Sequence, residues 1–253
     1  VRTRIETPPN RPTFVERMNP RTGRMLVVVV EGNRASRYFL VRRGAAKAEH
    51  VDADNQRIDF AGSDLVTGSE TGEVRVLADG APPRVVYRFG KRVDVVLGNE
   101  RFLLAAAGTE VIRIELATGE LVRGTFPDRY KHVVLTPNGD AWIAEGSDLL
   151  LWQGGQARLV TKLPNGVNRM ALRGDTAVVS TLQRDVYTVD MQGHITRLLL
   201  RATHMPQFDF TTRFAIATTL EQATVIDLAH GTRMQVPHGR MLSIAPDGSR
   251  ALY

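Results

Sequence analysis

A polar, mostly basic residue followed by an apolar one and then often an acid recurs along this chain. It appears as Arg57-Ile58-Asp59-Phe60, Arg92-Val93-Asp94-Val95, Arg169-Met170-Ala171-Leu172 and Gln207-Phe208-Asp209-Phe210, with His132-Val133-Val134-Leu135 and Arg240-Met241-Leu242 close to it. Guanidinium and imidazolium groups brought together make a seat for carboxylate or phosphate, because forked donors match planar anions and charge opposes charge. The acids of the pattern, Asp59, Asp94 and Asp209, are of the type that holds calcium, which takes several converging oxygens. They equally suit pairing with arginines or backbone amides, the usual fate of a buried carboxylate. Val134, Ala171 and Ser243 interrupt the acidic series, so no metal is expected.

Other reaction chemistry is scarce. The 253 residues contain no cysteine, which excludes disulfides, thiolate nucleophiles and cysteine-bearing zinc sites. The six histidines, His50, His132, His194, His204, His230 and His238, show no metal-ligand spacing and none adjoins a Gly-x-Ser-x-Gly elbow. No glycine loop opens a helix to cradle phosphate. No catalytic residue and no cofactor are therefore expected.

These side chains need elements to position them, and the glycines reveal those elements. Gly44, Gly80, Gly119, Gly155, Gly193 and Gly231 follow one another at 36, 39, 36, 38 and 38 residues. Each sits in a short polar turn between runs that alternate apolar and polar residues, where a positive φ is needed. A second series, Gly23, Gly62, Gly98, Gly139, Gly174 and Gly248, marks offset turns with the same period. Proline followed by Asn-Gly or Asp-Gly sharpens two of them, Thr136-Pro137-Asn138-Gly139-Asp140 and Ala245-Pro246-Asp247-Gly248-Ser249. A repeat near 38 residues, all strand and no helix, is the period of one four-stranded antiparallel blade of a β-propeller. The unit is clearest at 132–164, with His132–Leu135, Ala141–Ala144, Leu149–Trp152 and Ala157–Val160 as strands a, b, c and d.

Over almost its whole length the chain resembles the WD40-like or YVTN-like β-propellers. Leu150-Leu151-Trp152 is similar to the hydrophobic-then-tryptophan end of that family's strand c, although Gln153 stands where an acid normally follows. Val189-Asp190 and Ile226-Asp227 keep the acid and replace the tryptophan, and the family's Gly-His dipeptide is missing. The chain is read as a divergent, bacterial-style member of this architecture.

Six blades are expected at 14–50, 57–89, 93–126, 132–162, 168–200 and 207–237, with a partial one at 241–253. This predicts an all-β, seven-bladed ring whose incomplete last blade is closed by both chain ends, with residues 1–13 as an N-terminal strand or linker and 14–253 as one propeller domain. Six blades plus an extra hairpin is the alternative. Val1 in place of methionine, and Pro8, Pro9 and Pro12 before the first blade, point to a segment of a larger protein. The longest strongly apolar run, Met25 to Val30, is far shorter than the roughly 20 residues that span a bilayer, so no membrane span is expected.

In such a ring strand a begins at the rim of the central channel. Arg57, Arg92, His132, Arg169, Gln207 and Arg240 are then expected to form a basic collar at its mouth. The alternative is that they satisfy neighbouring loop carbonyls. The loop Thr125–Lys131 adds Phe126, Arg129, Tyr130 and Lys131, residue types enriched at interfaces, and His204 lies in a weaker example. Phe126 and Tyr130 equally suit a plug between blades. Residues 1–43 hold ten arginines against Glu6, Glu16 and Glu31, so they carry the whole net charge of +6, with Arg34, Arg37, Arg42 and Arg43 as a basic patch.

The function expected is a non-catalytic protein-interaction scaffold that grips an acidic peptide or partner domain. A metal-dependent lactonase or hydrolase, and a nucleic-acid or anionic-surface binder using the arginine patch, are the alternatives.

Overall fold

The computed structural model describes residues 13–19, 21–31, 35–42, 47–51, 57–78, 80–199, 207–210, 214–218, 222–227, 232–237, 243–244 and 251–252. The chain divides into two compact units, Val1–Phe126 and Pro127–Tyr253. No helix among the described residues is long and apolar enough to cross a membrane.

The first unit holds three sheets of four antiparallel strands: β1 (Thr13–Met18), β2 (Met25–Glu31), β3 (Ala35–Val41) and β4 (Glu49–Val51); β5 (Ile58–Ala61), β6 (Asp64–Gly68), β7 (Glu73–Leu77) and β8 (Arg84–Arg88); β9 (Val95–Gly98), β10 (Phe102–Ala107), β11 (Glu110–Glu115) and β12 (Leu121–Thr125). The second unit repeats the plan with β13 (His132–Leu135), β14 (Ala141–Glu145), β15 (Asp148–Gln153) and β16 (Gln156–Lys162); β17 (Val167–Arg173), β18 (Thr176–Thr181), β19 (Val186–Val189) and β20 (Ile195–Leu199); β21 (Gln207–Phe210), β22 (Phe214–Thr218), β23 (Gln222–Asp227) and β24 (Arg233–Pro237). A two-stranded sheet, β25 (Ser243–Ile244) and β26 (Ala251–Leu252), follows. Within each sheet the strands lie side by side in chain order, so every connection is a hairpin. Arg2 to Glu6, the segment expected to help close the last blade, lies outside the described residues.

Among the described residues of each unit, the core sits between neighbouring sheets. Leu26, Val28, Tyr38 and Leu40 of the first sheet meet Ile58, Phe60 and Leu65 of the second. Val66 and Val74 of the second meet Val96, Leu103, Ala105 and Ile112 of the third. In the second unit Trp142, Leu149 and Leu151 meet Val167, Ala177, Val179 and Val189. A strand packed on both faces must be apolar at every position, and all six residues of β10, Phe-Leu-Leu-Ala-Ala-Ala, are buried. Edge strand β12, half exposed, alternates instead.

Among the described residues the turn glycines behave as their spacing predicts, with one exception; Gly44, Gly231 and Gly248 lie outside those residues. Gly80, Gly119, Gly155 and Gly193 all have positive φ, as do Gly23, Gly62, Gly139 and Gly174. Gly98 does not. It is the last residue of β9, inside the strand, and the reversal that follows is made by Asn99-Glu100-Arg101, whose Asn99 side chain accepts from the Arg101 and Phe102 amides at 2.8 Å each. Gly98 is a glycine because the Phe60 carbonyl of the neighbouring sheet lies where a Cβ would be.

Candidate binding surface

An antiparallel a-b-c-d sheet puts the start of strand a at the same end as its b-to-c hairpin. Arg57 immediately precedes β5, and its carbonyl accepts from the Gly68 amide at 2.8 Å at the end of β6. Arg92 precedes β9 by three residues, because the regular pairing of that strand begins only at Val95. His132 opens β13 opposite Ala144, and Gln207 opens β21 opposite Thr218. Arg169 lies inside β17, opposite Ser180, after a bulge between Val167 and Arg169. The Gln207 and Asp209 side chains, Arg240 and His204 are outside the described residues.

That end of the second, third, fourth and fifth sheets is laced by backbone hydrogen bonds. In the first unit Phe89 donates to the Gly72 carbonyl at 2.8 Å, Val93 to Ser69 at 3.1 Å and Phe126 to Thr109 at 2.8 Å. In the second, Leu163 donates to Ser147 at 2.9 Å and Val167 to Gly146 at 2.7 Å, while Leu182 donates back to Gly166 at 2.8 Å. Each link ties a d-to-a connection to a b-to-c hairpin, so the loops there are held by the sheets.

Two hairpins are copies that the residue types conceal. Ser69 and Thr181 are both buried. The Ser69 hydroxyl accepts from the Glu73 amide at 2.9 Å, and that of Thr181 from the Asp185 amide at 3.3 Å. The left-handed position of the turn is Gly72 in one, at φ +90°, and Arg184 in the other, at φ +70°. A hydroxyl four residues before an acid is the signal that aligns them.

The acids of the pattern bind backbone. Asp59, 5% exposed, accepts from the Phe60 amide at 2.8 Å with one oxygen and from the Gly98 amide at 3.0 Å with the other, bridging two sheets. Asp94 accepts from Gly108 at 2.8 Å, and Arg92 lies 3.6 Å from both Asp94 and Glu70. Among the described residues no group of three His, Asp or Glu is placed to hold a metal ion.

The cations of the second unit are differently placed. Lys131 and Arg169 are exposed, and neither forms an ion pair among the described residues. His132 lies between them, half-buried, with its Nε2 shielded and lacking a hydrogen-bond partner among those residues. Burial is the main cause that pushes the imidazole below its ordinary value; Lys131 and Arg169 add to it and a backbone hydrogen bond with Asn168 opposes it. The folded state thus takes up this proton less readily than the unfolded chain, where the group titrates near 6.5. Its contribution to stability is full above that pH and declines as pH falls below it. Replacing His132 with Gln should therefore flatten the acid side of the stability profile, by up to about 1.4 kcal/mol per pH unit, in urea unfolding at pH 7.5 and pH 5. Parallel profiles would refute it.

The remaining expected contacts are divided. Arg129 is exposed, Tyr130 is half-buried, and Phe126 is only 4% exposed. Of the arginine patch, Arg37 lies 5.9 Å over the Phe39 ring and Arg42 binds Glu49 at 2.6 Å, whereas Arg34 and Arg43 are outside the described residues.

No protein-family model matches the chain. No curated protein matches it either. Solved structures do. A chain in the crystal structure of the mitotic checkpoint complex aligns at TM-score 0.64 and 10% identity, over 91% of this chain and 82% of that one. PorZ, a bacterial surface component of the type-IX secretion system of Porphyromonas gingivalis, aligns at 0.62 and 15%; this chain covers 34% of its length, about a third, with 89% of its own. The WD40 β-propeller domain of Doa1 aligns at 0.58 and 10%, over 88% and 83%. With its repeated four-stranded antiparallel sheets, this chain has the fold of a WD40-like β-propeller.

Proposed function

We propose that this chain is a non-catalytic interaction scaffold that binds an acidic segment of a partner protein at the hairpin end of strand a. The observation that carries it is the unit-two group of Lys131, His132 and Arg169: three cationic or protonatable side chains, two of them exposed and without ion pairs among the described residues, on β13, β17 and a connection held by backbone hydrogen bonds. Held loops need little ordering on binding, which leaves more of the contact energy as affinity. A carboxylate beside His132 would offset the two positive neighbours that depress its basicity, so capture should strengthen as pH falls. Arg57 and Arg92 precede β5 and β9 in unit one, Arg92 near two acids.

The fold supports this reading, since a chain of similar fold lies in the crystal structure of the mitotic checkpoint complex. So do two tyrosines, Tyr87 half-buried and Tyr187 buried: Tyr87 donates to Glu110 at 2.9 Å and Tyr187 to Asp185 at 3.3 Å, and desolvation pushes both hydroxyls up, the opposite of an activated nucleophile.

The test is fluorescence anisotropy with a labelled peptide of alternating Glu and Ser, its Gln/Ser counterpart and an oligothymidylate. The acidic peptide should bind at least about tenfold more tightly than the neutral one, and Lys131→Gln/Arg169→Gln should weaken it by about tenfold or more. Undiminished binding by the double variant would overturn the proposal. Preference for the oligothymidylate would favour a nucleic-acid surface instead.

A further inference from the structure

The hairpin that joins β18 to β19 stands beside the Lys131–His132–Arg169 group and carries a side chain that charge alone does not use. Leu182 is 53% exposed. Its backbone is fixed: its amide donates to the Gly166 carbonyl at 2.8 Å, while within the turn Thr181 donates to Asp185 and Arg184 donates to Thr181, each at 2.9 Å. The Leu182 Cδ1 lies 3.1 Å from where a Gly166 Cβ would stand, so the leucine rests against the stretch that leads three residues on into Arg169. Three residues span at most about 11 Å of chain. His132 is hydrogen-bonded to the same stretch, through the Asn168 backbone. Gly166 to Arg169 thus seats an exposed leucine at one end and the cationic group at the other.

The unit-one copy of this hairpin shows that the backbone does not require a leucine. Ser69-Glu70-Thr71-Gly72-Glu73 makes the same two bonds, Ser69 to Glu73 at 2.9 Å and Gly72 to Ser69 at 3.2 Å. Glu70 stands there in the place of Leu182, and it lies 3.6 Å from Arg92. Leu182 offers no such charge. The acid of its own hairpin, Asp185, is 6% exposed and accepts from the Tyr187 hydroxyl, so the turn presents Leu182, Gln183 and Arg184 to solvent. Hydrocarbon left in water adds nothing to the stability of the chain alone and gains when a ligand covers it.

We propose that Leu182 is the apolar anchor point of the acidic-segment site, and that the partner segment carries an aliphatic residue within a few positions of its carboxylates. The inference rests on the reading of Lys131, His132 and Arg169 as the seat of those carboxylates. A wholly acidic segment would meet the cations and leave Leu182 in water. A wholly apolar one would cover Leu182 and strip water from the cations without pairing them, which costs free energy. A mixed segment satisfies both, in the manner of an apolar contact with a polar rim.

Fluorescence anisotropy with three labelled peptides tests this: the Glu/Ser repeat, the same repeat with its central serine replaced by leucine, and a Gln/Ser repeat with that leucine. The leucine-bearing acidic peptide should bind at least about fivefold more tightly than the Glu/Ser peptide, and the leucine-bearing Gln/Ser peptide at least about tenfold more weakly than its acidic counterpart. Leu182→Ser, at an exposed position, should abolish the preference for leucine while leaving Glu/Ser affinity within about twofold. Lys131→Gln/Arg169→Gln should weaken both acidic peptides alike and preserve their ratio. Equal binding of the two acidic peptides, or a preference for leucine that survives in Leu182→Ser, would overturn the anchor and leave the acidic-segment reading standing. Binding of neither acidic peptide, or equal binding of the two leucine-bearing peptides, would overturn both.

Discussion

Gly98→Val is expected to cost the first unit about 3–5 kcal/mol, enough to unfold much of it at ordinary temperature. The Cβ of any larger residue would lie 2.6 Å from the Phe60 carbonyl carbon and 2.9 Å from the Ala61 Cα, with the Phe60 oxygen closer still. These are backbone atoms, so they cannot swing aside as a side chain would. The same residue donates its amide to Asp59, and the bond fails if the two strands move apart. Asp59→Ala should reproduce part of the loss, about 1–3 kcal/mol, by leaving two buried amides without their acceptor. Gly119→Ala provides the contrast: nothing lies within 4 Å of its Cβ, and only the φ of +72° resists, for about 1–2 kcal/mol. Urea unfolding followed by circular dichroism measures the order. Amide exchange should accelerate in β5, β6, β9 and β10 of Gly98→Val and stay slow in β14 and β18. A Gly98→Val protein within about 1 kcal/mol of the parent would refute the close-approach argument.

Trp142→Ala is the second large effect, expected at about 3–5 kcal/mol on the second unit. The indole is fully buried and lies in the cluster of Leu149, Leu151, Leu163, Val167, Ala177 and Val179. Truncation leaves a cavity between two sheets and deprives the Asp175 carbonyl of the indole N–H, 2.9 Å away. Trp142→Phe keeps most of the volume and loses that bond, for about 1–2 kcal/mol. Leu159→Ala, at a side chain 57% exposed on the outer strand β16, should stay within about 0.5 kcal/mol. Equal midpoints for Trp142→Ala and Leu159→Ala in thermal unfolding would remove the packing argument. The consequence for binding is indirect. Lys131, His132 and Arg169 stand on β13, β17 and the loop before β13, so the acidic-peptide affinity of Trp142→Ala should hold at low temperature and be lost well above its lowered midpoint.

The strands at 132–162 were readable residue by residue. His132–Leu135 as strand a, Trp142 in b and Trp152 in c are where alternation and the Thr136–Asp140 turn put them. Arg92 shows the limit. Its motif matches that of Arg57, yet the strand after it starts two residues late, because Asp94 turns its carboxylate to the Gly108 amide and its own amide to the Ala106 carbonyl. Arg169 errs the other way, carried inside its strand by a bulge. Gly98 kept time with the turn glycines for an unrelated reason, and Arg184 occupies a left-handed position that a glycine search passes over.

The order of strands, the hairpin connections and the repeat length were determined by the sequence itself, because turn geometry and hydrophobic alternation act between residues a few positions apart. Which charges are occupied was decided by the tertiary structure. Asp59 reaches Gly98 across 39 residues, and Arg92 meets Glu70 on a different hairpin. Charge balance and cavity shape depend on the packing of separate sheets, and packing selects side chains by distance in space, whereas the repeat arranges them by distance along the chain.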